Sequence, residues 1–179
     1  MGHIHTKPGQ HDQTASAFII RTDFNEPKLL LHRHRLLGKY LQLGGHVELN
    51  ETPWQAIVRE LKEESGYSVG QLKLLQPKIY LDHLSGAKLH PMPMSLDTHN
   101  FSREPDHFHT DMKFAFLTSE EPKESIDSDE SSDIRLFSRD EVSRLSDDDT
   151  FADIKHIANY IYDHLLKDWQ AVDPGKFEL

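Results

Sequence analysis

The chain contains no cysteine. That excludes a disulfide framework, a thiolate metal site and a cysteine nucleophile together, and it fits a reducing, cytoplasmic setting. Long apolar runs are also missing. The longest, such as Ala17-Phe18-Ile19-Ile20 and Leu29-Leu30-Leu31, are strand-sized, far short of the about 18 residues that cross a bilayer. The N-terminus has no charged-then-apolar leader pattern. Gly2 and Thr6 do match a short acylation pattern, but the pattern is too brief to predict a lipid anchor. Basic charge is scarce as well: 20 Lys and Arg face 30 Asp and Glu, for a formal net charge of −10. Long-range attraction to a nucleic-acid polymer or an anionic membrane is therefore not expected. A small anionic partner remains possible where metal ions compensate charge locally. Nothing in the composition sets an oligomeric state, monomer or homodimer.

What is present suits a single domain over residues 1–179. No internal repeat occurs. Residues 1–13 are polar and read as a flexible lead-in. Ala15–Arg21 reads as a first strand, Asp23–Pro27 as a turn and Lys28–Arg33 as a second strand. Leu41–Val47, interrupted by Gly44-Gly45, reads as a strand entering a loop. Val69–Leu81 predicts one or two strands, and residues 82–106, rich in His, Pro, Ser and Asp, predict a long loop. His107–Leu117 and Ile134–Phe137 read as strands. Residues 120–132 form an acidic, Ser-rich connection expected to be mobile. Phe151–Trp169 reads as a structural closing helix, with Ile154, Ile157, Ala158, Ile161 and Leu165 as its packing stripe. Strands and helices are mixed rather than strictly alternating, which points to layered α/β structure.

The clearest helix spans Pro53–Ser65. Thr52 and Gln55 form a capping box, Pro53 takes the first helical position and Gly66 suits a left-handed stop. Trp54, Ile57, Val58 and Leu61 form one apolar stripe. Glu60, Glu63 and Glu64 share i, i+3, i+4 spacing, so their carboxylates can point to one side. Such like charges repel by a few tenths of a kcal/mol per exposed pair, and a hard divalent cation with oxygen ligands relieves that. Gly44 and Gly45 permit a tight loop beside them, and Arg59 can brace a carboxylate by a bidentate contact. Taken alone, three glutamates read more readily as a solvated acidic face with Arg59 and Lys62 as surface partners.

The wider spacing separates these readings. Residues 44–67 place Gly45, Glu51, Arg59, Glu60, Leu61, Glu63, Glu64, Gly66 and Tyr67 in one order. That order is Gly, five residues, Glu, seven residues, Arg-Glu, an apolar residue, any residue, Glu-Glu, any residue, Gly, and an apolar residue. In this the chain resembles the Nudix hydrolase family, whose signature it completes; only the aromatic Tyr67 departs mildly from an aliphatic position.

The resemblance implies an α/β/α sandwich around a mixed β-sheet. It also implies hydrolysis of a diphosphate linkage in a nucleoside-diphosphate-like small molecule, with Mg²⁺ or Mn²⁺ as cofactor. It assigns Glu60, Glu63 and Glu64 as metal-binding carboxylates and the Gly44 carbonyl as a further ligand. Arg59 would orient a glutamate, while Gly45 and Glu51 would stabilise the loop or, for Glu51, bind metal through water. Metal-activated water would attack phosphorus, with one glutamate taking the proton. Asp111 and Glu130 are candidates for the extra carboxylate that such sites recruit outside the signature.

His107, His109 and Asp111 alternate along a predicted strand and so share one face, with Phe108, Met112, Phe114 and Phe116 placed on the other. Together with His83, His90, Asp97 and His99 they allow three readings: a second metal site for iron or zinc, the lining of a substrate pocket, or a plain polar strand face. Subclass markers are weak. Residues 81–84 are Leu-Asp-His-Leu, Pro91 and Pro93 lie late for an ADP-ribose hydrolase, Tyr80 falls early for a dinucleoside polyphosphate hydrolase, and Arg33 and Arg35 do not make a coenzyme A motif. Isopentenyl diphosphate isomerase, of the same fold, needs a cysteine. A non-catalytic nucleotide sensor is the alternative function, although sensors usually lose signature glutamates that are all present here.

Overall fold

Two long strands organise the molecule because their residues alternate between two buried faces. A computed structural model describes residue 4 and residues 7–100 and 107–177; Gly2, Thr6 and the end of the 82–106 segment lie outside the described residues. Strand β1 (His11–Arg21) runs parallel to β7 (Phe108–Thr118) in unbroken register from His11↔Phe108 to Arg21↔Thr118. The free edge of β1 is shared by two short antiparallel partners, β2 (Lys28–Arg33) at Ile19–Arg21 and β4 (Leu43–His46) at Thr14–Ala17. β3 (Tyr40–Leu41) and β8 (Ile134–Phe137) extend β2. The free edge of β7 is divided in the same way. β6 (Ser95–Asn100) covers its first half and β5 (Lys73–Gln76) its second, with β9 (Gln170–Val172) beyond β5. The sheet is mixed, as expected.

Alternation on β1 sorts the two cores. Ala15, Ala17 and Ile19 join one apolar cluster, and Phe18 and Ile20 join the other. Helix α1 (Pro53–Ser65) packs on the first face, with Trp54, Ile57 and Leu61 fully buried. Burying side chains of this kind contributes roughly 1.5–3 kcal/mol each. Trp54 stacks on Phe116 at 6.2 Å and meets Phe114 edge-on at 5.8 Å. The capping box forms in full: Gln55 N donates to Thr52 Oγ1, and Thr52 N donates to Gln55 Oε1. Gly66 ends the helix at φ 71°.

The second face is covered by α2 (Arg139–Arg144) and α3 (Ala152–Tyr160). The latter continues through a π-helical turn, Ile161–Leu165, to Leu166–Asp168. Ile154, Ala158, Ile161 and Leu165 are buried and Ile157 packs beside them, so the expected stripe forms. Among the described residues, no helix is long and apolar enough to cross a membrane.

Four features differ from expectation. β1 begins at His11 rather than Ala15, because parallel pairing to β7 holds residues 11–13 that composition alone made part of the lead-in. Val69–Gln71 is a 3-10 turn before β5, which ends at Gln76. Ser95–Asn100, inside the expected loop, pairs with β7 although its residues are mostly exposed. The short α2 and β9 also had no periodic signal; α2 is held by its own Ser138–Glu141 capping box and β9 by pairing with β5.

Candidate active site

The Gly44-Gly45 bend meets α1 where the carboxylates emerge. Gly44 has φ 138°, a conformation side chains rarely adopt, and a Cβ there would overlap the Ala15 carbonyl oxygen. A Cβ at Gly45 would overlap Glu60 Oε1. Glycine is thus a steric requirement at Gly44, where the bend lies against β1, and at Gly45 it leaves room for the Glu60 carboxyl. Gly44 N donates to Glu64 Oε2 at 2.6 Å, a charge-assisted bond if the carboxylate is ionised.

Arg59 gathers the rest. Its Nε and Nη2 form a fork on Glu51 at 2.8 and 3.1 Å, and Nη1 donates to Glu60 at 2.8 Å and Glu63 at 2.9 Å. Nη2 also donates to the His46 carbonyl at 3.2 Å. The guanidinium therefore joins the loop to two of the helix carboxylates, and it holds Glu51 below the usual carboxylate range.

Glu60 and Glu64 are each only 5% exposed, whereas the Glu63 side chain is one-third exposed. Burial pushes the Glu60 carboxyl up against the opposing pull of Arg59. Burial raises Glu64 further, opposed by the Gly44 N–H and reinforced by the charges of Glu60, Glu130 and Glu63. His32 Nδ1 lies 3.8 Å from Glu64 Oε1. Burial, helped by His34, lowers His32 to about 4, so at neutral pH it is an uncharged neighbour rather than an ion-pair partner. The site is thus a set of carboxylates desolvated together with one guanidinium among them.

The acidic connection 120–132 packs back onto α1. Glu124 N donates to the Gly66 carbonyl at 3.1 Å, and Asp127 N to the Glu63 carbonyl at 2.9 Å. A further turn, Glu130 N to the Asp127 carbonyl at 2.9 Å, follows. This brings the Glu130 charge to bear on Glu60 and Glu64.

Asp111 is placed elsewhere. It accepts from Thr14 Oγ1 at 3.0 Å and Ser16 Oγ at 2.9 Å, and it pairs with buried Lys113 at 2.8 Å. Burial lowers the Lys113 ammonium, but Asp111 and Asp97 more than reverse that. Asp111, Thr14 and Ser16 share the sheet face turned away from α1, so of the two extra-carboxylate candidates only Glu130 joins the cluster.

His107 and His109 stand on that same far face, and their partner there is Asp12 rather than Asp111. Asp12, His107 and His109 are all buried, with one ligand-type atom of each within 4.8 Å of the others. His46, at the end of β4, reaches Asp12 from across the sheet, 3.4 Å away. Asp97 and His99 approach through β6, His99 meeting the His109 ring edge-on at 5.5 Å. His83 is exposed and His90 half-buried in the loop before β6. Asp12 and His46 had no local signal: Asp12 sat in an apparent lead-in, and His46 fills an unconstrained place in the signature.

This geometry agrees with sequence and structure comparisons. The sequence model of the NUDIX domain matches residues 12–160. A curated relative, "Putative nudix hydrolase 1" of Caenorhabditis elegans, is 37% identical over 68 residues, which is 36% of this chain and only 19% of that protein's length. A solved NUDIX-family hydrolase from Clostridium perfringens superposes with TM-score 0.68 at 32% identity, covering 85% of this chain and 96% of the other. At the level of fold alone, an Ap4A hydrolase of C. elegans superposes with TM-score 0.61 at 16% identity, covering 86% and 98%. The NUDIX domain of Shewanella oneidensis NrtR, solved with ADP ribose, does so with the same score and identity, covering 86% and 88%. With the family description spanning most of the chain and the signature folded into a Gly-Gly bend against a carboxylate-bearing helix, the chain belongs to the Nudix family.

Proposed function

We propose that this protein hydrolyses a diphosphate linkage in a nucleoside-diphosphate-like small molecule with the help of Mg²⁺ or Mn²⁺. The observation that carries this reading is the desolvated pair Glu60 and Glu64 facing a side-chain-free bend, with Glu63 and Glu130 beside them. Buried like charges are costly unless compensated, and oxygen donors so arranged suit a hard divalent cation. The missing side chain at Gly45 lets the Glu60 carboxyl lie against the bend, which supports the fit.

Glu60, Glu63, Glu64 and the Gly44 carbonyl would hold the ion. When bound, it lowers the pKa of water and neutralises charge on the phosphoryl oxygens. The protein's own groups do the rest. Arg59 is a positioning residue, fixing Glu60 and Glu63 relative to the loop while Glu51 anchors its other side. A carboxylate with an accessible oxygen must take the proton of the attacking water. Glu63 is the most exposed of the three signature glutamates on α1, and Glu130 is the carboxylate nearby on the acidic connection. The substrate class follows from the anionic group that such an ion recruits.

The test is a panel of nucleoside diphosphate compounds with Mg²⁺ and with Mn²⁺, scored by phosphate release after phosphatase coupling, in wild type, Glu63→Gln and Glu64→Gln. Turnover that needs metal and falls in both variants is expected. Undiminished turnover in the variants removes the mechanism, and saturable binding without turnover in wild type points to a sensor.

A further inference from the structure

On the sheet face away from α1, β1, β4 and β7 bring together residues that the signature chemistry does not use. Asp12 Oδ2 lies 3.3 Å from His107 Nε2 and 3.4 Å from His46 Nε2. These separations exceed the roughly 2.7–2.9 Å of a charge-assisted N–H···O⁻ hydrogen bond. The 3.3 Å from Asp12 to His107 is also the spacing of two ligand atoms on one tetrahedral ion, about 3.3 Å for metal–ligand bonds of about 2.0–2.1 Å. His109 completes the group, one ligand-type atom of Asp12, His107 and His109 lying within 4.8 Å of the others, and its ring meets His107 edge-on at 5.6 Å and His46 at 5.0 Å.

We propose that Asp12, His107 and His109 form a second metal site, taking one zinc-class divalent ion on three protein ligands with a fourth position left for water. Two imidazoles with one carboxylate suit zinc better than the hard ions suited to the α1 carboxylates. Asp12 and His107 are at most 3% exposed and His109 is 8% exposed, so the donors are desolvated and closely set. Asp12 Oδ2 also accepts from Ile4 N at 3.1 Å, the kind of outer bond that orients a ligating carboxylate.

The site has a structural consequence. It ties the start of β1 to the start of β7, and His46, 3.4 Å from Asp12, links it to the end of β4, the strand that carries Gly44 and Gly45. The His46 carbonyl is itself held by Arg59. The ion would therefore brace the loop of the first site from behind without entering its chemistry.

The experiment uses full-length, chelator-stripped protein and Co²⁺ as a spectroscopic probe. One equivalent should produce the intense visible band of tetrahedral cobalt in wild type and in Glu60→Gln. Zn²⁺ should abolish the band, and excess Mg²⁺ should leave it. His109→Asn and Asp12→Asn should weaken Co²⁺ binding at least about tenfold. Absence of the band in wild type, its loss in Glu60→Gln, or its persistence in folded His109→Asn overturns the proposal. Should the histidine variants fail to fold, the wild-type and Glu60→Gln spectra decide it. No turnover is measured, so failure of the diphosphatase assay and failure of this site are separate results.

Discussion

The two faces of one sheet carry opposite kinds of ligand chemistry. Toward α1, carboxylates are crowded around a guanidinium, with burial pushing Glu60 and Glu64 upward. Away from α1, His46, His107 and His109 gather around Asp12, while Asp111 and Asp97 pair with Lys113 beside them. The first set is built from carboxylates; the second combines imidazole nitrogens with one carboxylate. On the proposed readings, the contrast in donor type is what would lead the two faces to take different ions. The thin link between them is Arg59, which touches the α1 carboxylates and the His46 backbone alike.

The sharpest way to break this division is Glu64→Gln. Diphosphatase activity should fall about a hundred-fold or more, while Co²⁺ absorption at the histidine cluster is unchanged. Steady-state kinetics and visible spectra on the same preparation read both, and a joint loss would mean the faces are one site.

Gly44→Ala should be the most destabilising single change in the loop, by about 2–4 kcal/mol, since it adds a Cβ at φ 138° against the Ala15 carbonyl. Denaturant unfolding measures this, and a near-neutral result would mean the bend is more adaptable than described.

Arg59→Lys should cost about 1–2 kcal/mol and lower activity, because an ammonium cannot reproduce the fork on Glu51 while also bonding Glu60 and Glu63. Thermal melts with and without Mn²⁺ separate the two effects: added metal should recover part of the lost stability.

A pH series sharpens the electrostatic side. The carboxyls of Glu60 and Glu64 are raised in the fold above their ordinary value of 4.5. Their contribution to stability is therefore complete below pH 4.5 and is lost as pH rises through their folded values. His32, lowered to about 4, trends oppositely between that value and 6.5, so the useful quantity is a difference. In chelator, Glu64→Gln should melt above wild type, with the gap widening as pH rises beyond 4.5. A constant gap would mean that Glu64 is not desolvated. The smallest effect expected is Thr52→Ala, about 1 kcal/mol from the lost helix cap, read by chemical denaturation.

Much of the first site was legible because its parts are local. The capping box, the Gly66 stop and the i, i+3, i+4 carboxylates all lie within one continuous segment, and α1 forms over the residues expected. The placement of Glu130 was legible only as a weak candidate, because its approach depends on Asp127 and Glu124 docking their amides onto the end of α1. Asp111 was misplaced relative to that cluster. Alternation put it correctly on the same face as His107 and His109, but nothing local reveals which face of β7 turns toward the helix.

Periodicity, capping and the signature spacing by themselves determined the α1 helix, the mixed strand-and-helix character and the acidic cluster, since each rests on neighbours within a few turns of chain. Tertiary structure alone decided that Asp12 meets His107 and that Thr14 meets Asp111, residues 97 positions apart in the latter case. Parallel pairing of β1 with β7 sets that register. A strand's short-range pattern states which side chains share a face, but only its partner states what that face will touch.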